Sequence, residues 1–288
     1  MALSDDYLNV TEVTFGWEYF AESPAMIKTK GHYFIFGSHL TGWDPNDNVS
    51  YSNQSSTVSK TNLEAFQIYS YAESLSGPWS DWTEFAPVGS NTHKSQVSYI
   101  LPLGTENAIY IGDRWIESNL AASTYVWLPL TISGTAVTLD WHDSWTLDLA
   151  AGTWAAPSST NRVEGESGAL GGGARVVSCA ECSKSEAAGY IGGEEGGTLT
   201  LDSVVGTGGE KATVAIKYKN GDTEPRHATV TVNGTPYDVA FLSTRHRSDI
   251  AGTSSLHCEL VEGQNTIVFS SSDGSWGPDV DEVVVGVF

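Results

Sequence analysis

The chain has 288 residues, enough for two domains with separate cores, and its 35 acidic against 14 Lys and Arg side chains give a formal charge of -21 at pH 7. That charge repels nucleic acid and anionic membranes, so neither is an expected partner. Heptads, long Ala/Leu/Glu/Lys runs and any apolar stretch long enough to span a bilayer are missing, which argues against an all-α or membrane-spanning chain.

What remains are short Val, Ile, Thr and aromatic runs between Gly, Asn, Asp and Ser, the pattern of an all-β protein. Neutral ligands stay open. Carbohydrate suits 10 Trp and 12 Tyr, because aromatic faces stack on sugar C–H surfaces while carboxylates and amides bind hydroxyls. "ALSDDYLNV" after Met1 has neither a basic flank nor an apolar centre, so it does not read as a signal peptide. Asn9-Val-Thr11, Asn53-Gln-Ser55 and Asn233-Gly-Thr235 would be glycosylation acceptors in a secreted chain.

Residues 1–150 read as aromatic-rich strands: "GHYFIFGS", "SQVSYILPL", "NAIYIGDRW", "STYVWLPLTIS" and "AVTLDWHDSWTLDL". Strands this short fit sandwich sheets or propeller blades. Residues 49–67, "VSYSNQSSTVSKTNLEAFQ", are polar and without apolar period, long for a structureless loop. Val49-Ser50 can be encoded GTAAGT, Thr61-Asn62-Leu63 can contain CTAAC, and Phe66-Gln67 can end TTTCAG. Those are donor, branch-point and acceptor signals in order, so an insertion or retained intron is the expectation here. Genomic codons at Val49-Ser50 other than GTAAGT or a close variant would sink it.

Residues 151–161 read as a linker of small residues and a proline. From 162 to 288 the pattern predicts about eight strands of a β-sandwich, a jelly roll, with "KNGD", "VNGT" and "EGQN" as hairpin signals. Asn220 and Asn233 each precede a glycine and read as turn residues. Three cysteines are too few for a disulfide scaffold: Cys179 and Cys182 can pair locally and leave Cys258 free, zinc being the weaker alternative.

Two resemblances cover nearly the whole chain. "ESPAMIKTKGHYFIFGSHLTGWDPNDN", "SLSGPWS", "SQVSYILPL" and "YIGDRW" resemble the later part of fungal glycoside hydrolase family 43 proteins of the exo-β-1,3-galactanase type. "VEGESGAL", "CAECSKSEAAGYIGG", "IKYKNGD", "VTVNG" and "SWGPDVDEVVV" resemble a family 35 carbohydrate-binding module. They imply a partial five-bladed β-propeller followed by a sugar-binding β-sandwich, with the first blades not represented. They further imply a secreted, monomeric protein whose partner is β-1,3-galactan or a side-chain-bearing arabinogalactan.

Inverting glycosidases need a general acid on the leaving oxygen and a base that activates water. By resemblance Glu22, in its Glu-x-Pro context, is the acid, with Trp17, Tyr19 and Phe20 as neighbours that would desolvate its carboxyl. By residue type alone Glu22 reads equally as an exposed glutamate at a blade edge. Gln96 matches the position that faces the attacking water; an amide orients water but is a poor proton acceptor. The family's base aspartate has no counterpart in this sequence, which implies that the chain alone is inactive. Glu12 aligns loosely with a substrate-contacting glutamate. Trp43, in a Gly/Asp/Pro loop, reads as a sugar-facing wall of the pocket with Asp113 and Arg114 hydrogen-bonding nearby, and Trp115, the other candidate for that wall, reads as packing between sheets.

In the module, the resemblance implies structural calcium on Glu164, Glu166 and Asp281, with the two glutamates on one side of one strand. It implies sugar contacts from Tyr190, Arg226, Trp276 and Asp279. The alternative to a hydrolase is a non-catalytic carbohydrate-binding protein.

Overall fold

The computed structural model describes residues 1–17, 21–38, 67–105, 107–209, 211–245, 251–271 and 273–288. They fall into two compact units, one built from 1–117, 123–141 and 147–154, the other from 118–122, 142–146 and 155–288.

The first unit opens with a small hairpin, β1 (Ala2–Leu3) and β2 (Val10–Glu12). A four-stranded antiparallel sheet follows: β3 (Glu22–Thr29), β4 (His32–Ser38), β5 (Gln67–Ala72) and β6 (Thr83–Glu84). A second meander has β7 (Gln96–Leu103), β8 (Asn107–Arg114), β9 (Thr124–Ser133) and β10 (Ala136–Thr138). These are the blade-type sheets expected of a partial propeller. Alternation decides which face is inside: Ala25 and Ile27 on β3 are buried while Met26 and Lys28 are exposed. Those two join Phe34, Phe36, Val97, Ile100, Tyr110, Val126, Leu128 and Leu130 in one core between the sheets. A hairpin of β11 (Thr146–Asp148) and β12 (Thr153–Ala155) follows, so part of the expected linker forms strand.

The second unit holds β13 (Ser159–Glu164), β14 (Ala169–Gly171), β15 (Arg175–Ser178), β16 (Glu186–Gly189), β17 (Thr198–Thr207), β18 (Lys211–Lys219), β19 (Arg226–Val232), β20 (Thr235–Phe241), β21 (Gly252–Glu259), β22 (Glu262–Ser270) and β23 (Asp279–Val287). One sheet runs β15-β16-β23-β18-β21 with β13 also on β23; the other runs β14-β17-β22-β19-β20. Their inner faces meet in a core that includes Leu201, Val204, Val214, Ile216, Val230, Phe241, Ile267, Phe269, Val283 and Val285. The β-sandwich is therefore as expected, but with eleven strands among the described residues; three short ones, β14 to β16, carry too little alternation to be read.

Only one of the three hairpin signals closes a hairpin. Asn233 and Gly234, with φ of 49° and 87°, join β19 to β20 as a tight left-handed turn requires. Asn220-Gly221 instead leaves β18, whose partners are β21 and β23, and the next strand belongs to the other sheet. Glu262-Gly263-Gln264-Asn265 lies inside β22 rather than before it. In a sandwich the chain switches sheets, so a turn residue need not join neighbours. Cys179 and Cys182 are disulfide-bonded and Cys258 is free and buried, which removes the zinc alternative.

Candidate functional site

In the first unit, three of the expected residues meet at one end of the two sheets. Glu22 opens β3 and stands opposite Ser38, the last residue of β4. Gln96 opens β7, its Nε2 donates to Ser38 Oγ at 2.8 Å, and its strand partner is Asp113 on β8. Ser23 follows Glu22 in a left-handed conformation, φ 52°, and its hydroxyl donates to the Val97 carbonyl, tying β3 to β7. Glu22 and Gln96 are half-buried. Burial pushes the Asp113 carboxyl above the usual aspartate range, and a hydrogen bond from Ser98 pulls partly the other way.

Gln96 rests on an unusual support. Asn91, Thr92, His93 and Lys94 all have positive φ, 48°, 48°, 55° and 60°, a left-handed turn without glycine. Surrounding groups hold it. Ser95 Oγ donates to the Thr92 carbonyl at 2.6 Å and lies 2.9 Å from the Tyr110 hydroxyl, while Arg114 donates Nε and Nη2 to the His93 carbonyl at 3.2 and 2.7 Å. Arg114 thus braces the turn and stacks its guanidinium over Trp141. Ser38, a buried polar residue ending an apolar strand, and this brace are what sequence reasoning missed; a polar side chain on the inward register of "GHYFIFGS" is the one signal that points to Ser38.

The other expectations divide. Trp17 sits in a cluster with Phe15, Trp79 and Trp82. Tyr19, Phe20, Trp43 and nearly all of the 49–67 stretch lie outside the described residues. Glu12 lies on the exposed hairpin strand β2. Trp115, expected to pack between sheets, is 45% exposed, because β8 ends at Arg114 and the ring falls beyond the sheet.

In the second unit, the residues expected to contact sugar converge. Tyr190 follows β16 with φ 61°, and Trp276 meets it edge-on, 5.7 Å between centroids at 86°. Both rings are exposed, 41% and 46%. The Trp276 indole lies over Gly193, where any Cβ would collide with it. Asp279 opens β23; burial raises its carboxyl above the usual range, while the positive Arg226 and the Tyr190 N–H draw it back down. Arg226 is fixed by Asp222 Oδ2 at 2.7 Å and the Gly277 carbonyl at 3.0 Å. Asn220 is fully buried, and its Nδ2 donates to the Glu224 and Phe241 carbonyls, which makes it an organiser of its turn.

The carboxylates expected to hold calcium gather around the loop after the disulfide. Glu164 ends β13, but Glu166 lies in the single 3-10 turn Gly165–Ser167, not on the same strand. The turn still brings both toward one cation: Lys184 Nζ lies 3.2 Å from Glu164 Oε1 and 3.8 Å from Glu166 Oε1. Ser183 donates its N–H to Asp281 Oδ1 at 2.9 Å, and its hydroxyl contacts Asp281 and Glu164. Burial raises the Glu166 and Asp281 carboxyls, and the charge of Glu164 adds to both. Glu166 Oε2 is buried without a hydrogen-bond partner. Three carboxylates against one ammonium, one oxygen orphaned, is a donor set suited to a hard cation. Among the described residues, no three His, Cys, Asp or Glu side chains stand at metal-binding separation as they are.

Comparison with family models and with curated proteins finds no match. Among solved structures, the chain is similar to the exo-β-1,3-galactanase from Phanerochaete chrysosporium with galactose: 33% identity, 98% of this chain and 61% of that chain, TM-score 0.66. A substituted form of that enzyme with β-1,3-galactotriose matches over the same shares at the same identity and TM-score. A family 35 carbohydrate-binding module from Clostridium thermocellum is 24% identical over 44% of this chain and 98% of that chain, TM-score 0.41. The chain therefore spans 61% of the length of the galactanases it matches. With a match at 33% identity running through 98% of its residues, the chain resembles the exo-β-1,3-galactanases of glycoside hydrolase family 43.

Proposed function

We propose that this protein is of the inverting-glycosidase type that acts on β-1,3-galactan, with 288 residues that are not sufficient for turnover, and that its second unit holds the polymer by its galactose residues. The observation that carries the reading is the meeting of Glu22 and Gln96 on Ser38 at the end of two sheets. Glu22 protonates the leaving oxygen, Gln96 orients the attacking water, and Asp113 contacts the sugar. An amide cannot take the water's proton as a carboxylate does, and the sequence offers no counterpart of the family's base aspartate. The 288 residues alone therefore do not turn over.

Galactose release from β-1,3-galactan tests this with two proteins: the chain as it stands, and a fusion adding the galactanase portion it does not cover and omitting 49–67. The first is expected to be inactive and the second active. Glu22→Gln in the fusion is expected to lower kcat about 10²- to 10⁴-fold. Comparable turnover by both proteins refutes the inactivity, and an unaffected Glu22→Gln refutes the acid.

A second reading is favoured by the convergence of Tyr190, Trp276, Arg226 and Asp279 within one unit: a non-catalytic carbohydrate-binding protein. Galactan binding by a fusion with no turnover would select it.

Calcium on Glu164, Glu166 and Asp281 belongs to the same proposal, supported by the orphaned Glu166 oxygen. Calcium is expected to raise the unfolding temperature and chelator to lower it; no shift at millimolar calcium removes the site. Secretion is supported by the Cys179–Cys182 disulfide, which persists in oxidising compartments. A monomer is expected in sedimentation.

A further inference from the structure

We propose that Arg175 is a sugar-contacting residue of the second unit, donating to ring hydroxyls of a galactose whose apolar face lies on Trp276. The inference rests on the reading that this unit binds galactose.

The Arg175 guanidinium lies 3.3 Å from the centroid of the Tyr190 ring, at van der Waals contact. A sugar cannot stack on that face of Tyr190 while the guanidinium occupies it. Trp276 differs. One face of its indole lies over Gly193, and the residue is nevertheless 46% exposed, so its other side is the open aromatic platform. Because Tyr190 meets Trp276 at 86°, the two rings form a corner, with Tyr190 as the wall and Trp276 as the floor.

The polar groups around that corner complement a sugar. Asp279 supplies a carboxylate acceptor, already oriented by the Tyr190 N–H. Arg226, whose charge acts on the Asp279 carboxyl, is committed to Asp222 and the Gly277 carbonyl. Arg175 is exposed and, among the described residues, has no carboxylate at ion-pair distance, although the chain carries 35 acidic side chains. Its donors are available to a ligand. The β15–β16 register fixes its place: Arg175 stands opposite Gly189, the residue before Tyr190. A Cβ at Gly189 would meet Asp279 Oδ1 at 2.8 Å, so glycine lets that strand approach the carboxylate. One hydroxyl of a vicinal pair then donates to Asp279 while the other accepts from Arg175.

Calorimetry of the full chain with galactose tests the assignment, with thermal midpoints run alongside. Trp276→Ala is expected to abolish binding, and Arg175→Ala to weaken it about tenfold at an unchanged midpoint. Arg175→Lys is expected to recover only part, because a point charge lacks the planar fork. Galactose is also expected to shield Arg175 from phenylglyoxal, read by mass spectrometry on the unsubstituted protein, a measurement that needs no variant to fold. Full affinity in Arg175→Ala with binding lost in Trp276→Ala overturns the role of Arg175 and leaves the site standing. Modification of Arg175 at an unchanged rate in saturating galactose overturns it equally. No galactose binding by the unsubstituted chain overturns this inference together with the reading beneath it.

Discussion

Gly193 decides where Trp276 lies, because the indole occupies the volume a side chain would need, and its φ of 67° already favours glycine. Gly193→Ala is expected to displace the ring and weaken galactose binding about tenfold, with the far-UV spectrum unchanged; equal affinity in calorimetry would contradict that placement of the ring. Asp113 carries a different consequence. Its carboxyl is raised by burial, so the folded protein holds that proton more tightly than the unfolded chain does. The stability this contributes is complete below the ordinary aspartate value near ~4 and is lost as pH rises through the raised folded value. Asp113→Asn has no charge to desolvate. Between pH 4 and 7 (roughly the window in which aspartate ionises) the wild type is expected to lose more stability than the variant, and superimposable profiles would exclude the desolvated carboxyl.

At the scale of elements, β23 organises the second unit. It is buried along most of its length and pairs with β13, β16 and β18, a central position that suits its "VVV" run. Asp281 and Glu282 are its buried charges, and Glu282, with its side chain 5% exposed, is answered by Arg162 Nη1 at 2.7 Å and Lys217 Nζ at 2.8 Å. Asp143 closes the set by contacting the same two cations, which fastens residues 142–146 to that unit. Glu282→Gln leaves both cations short of a partner and is expected to cost about 2 kcal/mol in denaturant unfolding. A loss within error would make the network dispensable. In the first unit the left-handed turn 91–94 does comparable work for Gln96, held by Ser95, Tyr110 and Arg114 against its unfavourable backbone.

The whole molecule carries a formal charge of -21, and like charges oppose the compact state. Salt at roughly half-molar concentration shortens the screening length to a few ångströms and is expected to raise the thermal midpoint. A midpoint unmoved by sodium chloride would mean that local pairs, not the overall field, set the electrostatic stability. The two units have separate cores, so their unfolding is expected to resolve into two steps wherever their stabilities differ.

Strand content, the two textures and most strand positions were legible in the sequence, because period-two alternation and the Asn233-Gly234 turn act over a few residues. The local Cys179–Cys182 pair was legible for the same reason. Glu22, Gln96, Tyr190 and Asp279 were singled out by their motifs, whereas what surrounds them was not legible. Ser38 reaches Gln96 across 58 positions, Arg175 covers Tyr190 through strand register, and Glu166 approaches Lys184 by a turn where a strand was expected. "KNGD" and "EGQN" misled because a sandwich sends its chain from one sheet to the other, and no local residue pattern reports that switch. Side-chain type and spacing determine which strands form and which faces are apolar. Which distant polar groups then meet is set by how two sheets pack, and that exists only once the chain has folded.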